Sequence, residues 1–263
     1  MDNHSNEPIL LRQVENGVAT VTLNRPQARN ALSMALMGEL LTAFTALAQD
    51  KAVKVVILAA AGPGFCAGHD LKELRSQPKR EIYQAVFQRC SQLMQAIVAL
   101  PKPVIAQVHG IATAAGCQLA ATCDLAVASE EARFATPGVN IGLFCSTPMV
   151  ALSRAVPRKQ AMEMLLTGDM IPAARALEIG LINRVVPAAE LPAATLALAR
   201  QISSKSPLIL KIGKEAFYRQ AEMGLAQAYD YASEVMTRNM MAADAAEGID
   251  AFLAKRPPNW RGE

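Results

Sequence analysis

Residues 53–60, 103–108 and 125–128 are short, largely apolar runs, and between them lie stretches whose apolar residues recur every three or four positions. Buried strands alternating with amphipathic helices build βαβ units, which predicts an α/β fold around a largely parallel sheet with helices on its faces. Ser33 is placed to cap a helix with the stripe Leu36, Leu40, Phe44 and Leu47, and a second stripe runs through Ile82, Val86, Cys90, Leu93 and Ile97. Small residues predict a third helix over 114–122. The chain opens with a hairpin: β-prone runs at 9–14 and 18–23 flank Glu15-Asn16-Gly17, and Asn-Gly suits the tight turn that reverses a strand.

From about Met149 onward the reading is almost wholly helical, with helices over 158–167, 173–179, 193–203, 208–219 and 225–254, the last with a break. The one linker signal is the stretch 187–192, flanked by prolines. The chain reads as an α/β core at 1–195 and a helical region at 196–263, and that soft signal does not make the second an independent domain. With 52% apolar and 19% charged residues the chain is not disordered. Its apolar runs stop well short of the roughly 20 residues that cross a bilayer, so no membrane partner is expected.

The polar opening carries neither a signal peptide nor a transit pattern, which gives a cytoplasmic expectation. A net charge of +3 without a basic block, together with one Trp and four Tyr, argues against a nucleic-acid partner. The cysteines, Cys66, Cys90, Cys117, Cys123 and Cys145, are odd in number and lack a Cys-x-x-Cys pair, so they read as reduced core thiols; no metal is expected.

Two loops carry the chemistry. In AAGPGFCAGHDLKEL, residues 60–74, small residues lead from a strand into a helix starting near Asp70; in VHGIATAAGCQLAATCDLA, residues 108–126, the same happens through Gly110. Small residues let a ligand approach the backbone, and the first amides of a helix are unpaired donors that favour negative charge. If the strands are neighbours, the amides around His69 and Ala115 can converge on one oxygen and stabilise an enolate or tetrahedral oxyanion. The alternative is that the small residues serve only close helix packing, and spacing alone does not separate the two.

These loops, with LNRPQARNALS, PKPVIAQVHGIATAAGCQLAATCDLAVAS, ARFATPGVNIGL, LTGDMIPAARALEIGLINRVVP and EGIDAFLAKR, resemble the crotonase, or enoyl-CoA hydratase/isomerase, superfamily over nearly the whole chain. The resemblance implies the crotonase (ClpP/crotonase-like) fold of repeated ββα units in two sheets, with a C-terminal helical trimerisation region and a homotrimer or a hexamer built as a dimer of trimers. It implies an acyl-CoA ligand whose thioester carbonyl is held by the amides of His69 and Ala115, with Gly116 following. Coenzyme A then enters as part of the substrate, with no covalently bound cofactor. The coenzyme is expected along Gln27, Ala28, Arg29 and Ala31, then Ala67, Asp70, Leu71 and Lys72, while Phe252 and Lys255 match positions that reach a neighbouring subunit's coenzyme.

The pattern breaks where a hydratase of this family carries two glutamates: here stand Gln118 and Gly138. An amide does not titrate near neutral pH and glycine has no side chain, so the standard hydration machinery is missing. The carboxylate of the isomerase and dehalogenase variants aligns with Ser146 and that of the dienoyl isomerases with Asn140, and neither residue is a general base unaided. Cys145 is a candidate nucleophile without a visible activating partner, against a structural thiol. The imidazole of His69 titrates near physiological pH and is a candidate in its own right, against a role confined to its backbone. His109 reads as a strand-end residue beside Gly110, and His4 as part of the polar tail. Three readings stay open: an enzyme that stabilises an enolate or oxyanion (isomerase, decarboxylase or thioesterase), a non-catalytic acyl-CoA binder, and, least supported, an RNA binder.

Overall fold

The computed structural model describes residues 7–263; His4 lies outside them. The order of elements begins with β1 (Leu10–Glu15), β2 (Val18–Leu23), α1 (Met34–Gln49), β3 (Val55–Ala60), β4 (Gly64–Cys66), α2 (Leu71–Ser76) and α3 (Arg80–Ala99). It continues with β5 (Val104–Val108), β6 (Ile111–Thr113), α4 (Ala115–Thr122), β7 (Leu125–Ser129), β8 (Arg133–Ala135) and a 3-10 turn at Pro137–Ile141. The rest is α5 (Pro148–Ala155), α6 (Arg158–Thr167), β9 (Ile171–Pro172), α7 (Ala173–Glu178), β10 (Arg184–Val186), α8 (Leu191–Ser203), α9 (Pro207–Gln220), α10 (Leu225–Met240) and α11 (Ala243–Leu253).

A six-stranded sheet runs β1-β2-β3-β5-β7-β10. Only β1 and β2 are antiparallel, turned by Asn16 and Gly17 at φ +50° and +82°, the left-handed pair that a two-residue hairpin requires. A four-stranded sheet runs β4-β6-β8-β9, its first three strands parallel. The single parallel sheet read from periodicity is therefore two sheets, as the resemblance implied. Strands β4, β6 and β8 have three residues each, too few for an alternation to register. The wholly helical reading after Met149 is likewise corrected by β9 and by β10, which pairs with β7 at the edge of the main sheet.

Strand β3 is buried on both faces. Val56 and Leu58 join the large core with the α1 stripe Leu36, Leu40, Phe44 and Leu47, while Val55, Ile57 and Ala59 face Leu191, Leu198 and Ala199 of α8. Each Val, Leu, Ile or Phe among them contributes about 1.5–3 kcal/mol by leaving water. The boundary drawn at 195/196 falls inside α8, which is thus a layer over the main sheet. Behind it, α9 is tied to the core by Lys214, which bonds Asp124 at 2.7 Å, and by Tyr218, whose hydroxyl donates to the same carboxylate at 2.9 Å.

Candidate active site

Strands β4 and β6 pair in parallel, so the loops that leave their ends run side by side. In the first loop Leu32 donates to the Gly68 carbonyl at 2.8 Å and accepts from the Asp70 amide at 3.3 Å. A parallel bridge of this kind uses residues 68 and 70 and turns the residue between them the other way. The His69 N–H accordingly has no acceptor among the described residues. In the second loop Ala115 is the first residue of α4, whose amide no helical carbonyl can reach.

The loops touch. A Cβ on Gly68, which sits at φ +101°, would stand 2.9 Å from the Ala114 Cβ and 3.4 Å from the Ala115 nitrogen. A Cβ on Gly116 would lie 2.0 Å from the Cys66 carbonyl oxygen, so only glycine lets α4 seat against β4. Ala114 holds φ +50° and ψ −119°, a strained conformation for a residue with a Cβ, and its own amide is bound to the Ala135 carbonyl at 2.9 Å. The small residues thus serve close packing, and that packing sets two free amides beside each other. Such a pair, one of them at a helix N-terminus, favours negative charge on an oxygen placed between them.

The His69 ring packs edge-on against Phe87 of α3, centroids 5.4 Å apart, with both ring nitrogens buried and without a hydrogen-bond partner. Burial holds its pKa below the ordinary 6.5, opposed by the Leu32 carbonyl, which is nearby but outside hydrogen-bond geometry. Gln118, one turn after Ala115, is buried, and its Oε1 accepts from Cys90 Sγ at 3.8 Å. Cys90 lies one turn beyond Phe87 on α3, so the His69 ring and the Gln118 side chain meet the same stretch of that helix.

Gly138 is buried, and a Cβ there would lie 2.8 Å from the Leu143 carbonyl oxygen and 2.9 Å from Cys145 Sγ. Cys145 therefore fills the space beside that position. Burial raises its pKa, the Gly138 amide opposing, and its neighbour Cys117 is pushed up to about 12, so no activated thiolate stands here. Asn140 and Ser146 are both exposed: Asn140 Nδ2 packs toward Gly168, and the Ser146 hydroxyl donates to the Phe144 carbonyl at 3.3 Å.

Segment 27–31 lies along the first loop, with the Ala67 amide on the Arg29 carbonyl at 3.1 Å. Gln27, Arg29, Leu71 and Lys72 are exposed, Ala28 and Ala67 half-buried, and Ala31 buried. Asp70 caps α2, accepting from Lys72 and Glu73 amides at 3.2 Å, and pairs with Arg25 at 3.0 Å. Partial burial pushes its pKa up, but Arg25 and those amides outweigh that and hold it below the ordinary carboxylate value. Phe252 and Lys255 stand exposed at the end of α11.

Three residues of the site escaped sequence reasoning. Asn30, fully buried, donates to the carbonyls of Ala61 and Gly64 at 2.8 Å each and accepts from the Arg25 amide at 2.8 Å, bracing both flanking loops. Phe87 sat off the predicted stripe, and the Thr136 hydroxyl, two residues before Gly138, is buried without a partner. A left-handed φ of +55° at Asn30 is a conformation asparagine tolerates, the one local hint available. His109 Nε2 meets the Gly62 carbonyl at 2.8 Å, a strand-end contact.

A cavity of about 620 Å³ is lined by residues of α3, α4, α5 and α9, and of the residues named above as site candidates it touches Gln118 alone. Among the described residues no group of three or more His, Cys, Asp and Glu side chains gathers as a metal-ligand set, and no helix is long and apolar enough to cross a membrane.

The family model described as enoyl-CoA hydratase/isomerase matches residues 13–263. The chain belongs to the enoyl-CoA hydratase/isomerase family. Within it, the chain is 50% identical to the human mitochondrial enoyl-CoA hydratase domain-containing protein 3, over 97% of this chain and 84% of that one. The segments AAGCQLAATCDLAVAS and FATPGVNIGLFCSTP resemble the same branch. The crystal structure of the human protein superposes with a TM-score of 0.93 at 49% identity, covering 96% of this chain and all of that one. An enoyl-CoA hydratase structure from Mycobacterium smegmatis superposes with a TM-score of 0.95 at 55% identity, covering 97% and 99%. The crotonase fold is thereby established. The cytoplasmic expectation is corrected: the human and mouse relatives are mitochondrial proteins by name, and a polar opening does not argue against that compartment.

Proposed function

We propose that this family member binds acyl-CoA thioesters and polarises the thioester carbonyl between the amides of His69 and Ala115, without efficient hydration of enoyl-CoA. The observation that carries the reading is the pair of amides left free by the Leu32 bridge and by the start of α4, on loops that touch at Gly68 and Ala114. Oxygen developing negative charge there gains two preorganised donors at no reorganisation cost. The coenzyme arrives as part of the substrate along residues 27–31 and 67–72, with Arg29 and Lys72 free to meet phosphate.

Hydration needs a group that positions water and moves its proton. Loss of one such group costs about 10²- to 10⁴-fold, and both positions lack one here. The packing of Cys145 against Gly138 supports this, because the space a glutamate would enter is filled. The same reading includes a homotrimer or dimer of trimers through residues 196–263. It is supported by the exposed Tyr229, Met236, Met241, Phe252 and Leu253 on and around α10 and α11, with Phe252 and Lys255 contributing to a partner's coenzyme site. Calorimetry with butyryl-CoA tests the reading: the wild type binds, and His69→Pro, which removes one amide donor, binds far more weakly. Absence of wild-type binding overturns it.

A further inference from the structure

We propose that the His69 side chain is a proton-transfer base acting on the α-carbon of a bound acyl thioester, so that the protein catalyses α-proton exchange of acyl-CoA without adding water. The proposal rests on the thioester-binding reading above. Among the described residues, buried side-chain nitrogens and oxygens that lack a hydrogen bond occur only at His69, Thr136 and Asn239, and His69 carries two of them. A buried polar atom without a partner is destabilising, which makes such an atom in a ligand site a candidate for use.

The ring is tied to both loops through its own backbone and through α3. It is borne by the residue whose amide supplies one of the two carbonyl donors, and it packs on Phe87, one turn from the Cys90 that contacts Gln118. Gln118 is one turn from Ala115, so α3, on which the ring packs, also contacts the helix that carries the second amide.

Among the described residues no competing base is placed there. Gln118 and Gly138 cannot titrate, Asn140 and Ser146 are exposed, and Cys145 is held as a thiol. On the elements packed around the ring, Asp70 is held by Arg25 and the α2 amides, Glu73 accepts from the Met34 amide at 2.9 Å, and the Cys90 thiol is pushed up to about 12 by burial. Burial also keeps the imidazole neutral, leaving a lone pair on one ring nitrogen.

In the step, that nitrogen takes the α-proton, and the C–H electron pair moves into the carbon–carbon double bond of the thioester enolate. The negative charge comes to rest on the oxygen held by the amides of His69 and Ala115. The protonated ring exchanges with solvent and returns a proton to the same carbon. Nothing is oxidised, and only the C–H bond breaks and reforms.

The test incubates the purified full chain with butyryl-CoA in D₂O, reads deuterium at the α-carbon by mass spectrometry, and measures binding in parallel by calorimetry. Exchange above the buffer rate is expected, rising with pH through a midpoint below the ordinary imidazole value of 6.5. His69→Gln, which keeps bulk and hydrogen bonding, is expected to lower it by about 10²-fold or more while binding is retained. Wild-type binding without exchange, or exchange by His69→Gln at the wild-type rate, overturns the proposal. Absence of binding overturns the reading beneath it and this proposal together.

Discussion

The sulfur of Cys145 stands 2.9 Å from where the Cβ of any side chain at position 138 would be. The contact is reciprocal: the thiol seals the pocket because Gly138 leaves it room, and Gly138 is obligatory while Cys145 and the Leu143 carbonyl remain. Gly138→Ala overpacks the pocket, and a cost of about 1–3 kcal/mol is expected, measured by chemical denaturation. Cys145→Ala in the same chain recovers part of it, because the sulfur is one of the two nearest obstacles; additive effects of the two changes would count against the contact.

Restoring Glu at both 118 and 138 is therefore not expected to create a hydratase. The glutamate at 138 meets a backbone carbonyl as well as a thiol, and the carbonyl cannot be removed by substitution. A crotonyl-CoA assay of the double variant should show no gain, whereas a well-folded double variant with hydration far above the wild type would mean that segment 139–146 opens readily.

Asn30→Ala is expected to cost about 2–4 kcal/mol, since it strands the buried carbonyls of Ala61 and Gly64 and frees the Arg25 amide. Because Asn30 braces the two segments along which the coenzyme is proposed to lie, the same variant should bind acyl-CoA more weakly at temperatures where it remains folded, as read by calorimetry.

Ala114→Gly should act in the opposite direction on stability. It relieves a left-handed conformation costing about 1–3 kcal/mol, offset by about 0.5–1 kcal/mol of extra unfolded-state entropy. A net gain near 1 kcal/mol is expected in thermal or denaturant unfolding, with weaker acyl-CoA binding because the turn before the Ala115 amide is less rigid.

The long elements were legible in the sequence for a physical reason. Strand β3 and helices α1 and α3 bury whole faces, so their periods are written in Leu36, Leu40, Phe44, Val86 and Ile97. The second sheet was legible only through the family resemblance, because three-residue strands carry no period. At the site, the free amides at His69 and Ala115 were foreseeable from small residues before helices. The packing of Cys145 on Gly138, the bracing by Asn30 and the unpartnered ring of His69 were not, since each depends on which distant segments the fold brings into contact.

The depressed His69 pKa makes stability pH-dependent in a defined direction. The unfolded chain takes up this proton at a higher pH than the folded one, so the contribution is fully present above about 6.5 and declines as pH falls from 6.5 toward the folded value. Denaturant unfolding between pH 7 and pH 5 should show a slope that His69→Gln removes; an unchanged slope in the variant would assign it to other groups.

The most direct test of the account is a titration of the purified chain with crotonyl-CoA, following heat of binding and the enoyl absorbance in the same samples. The account predicts saturable binding with the enoyl thioester left essentially unhydrated, and loss of that binding in His69→Pro. Rapid loss of the enoyl absorbance, or no binding at all, would contradict it.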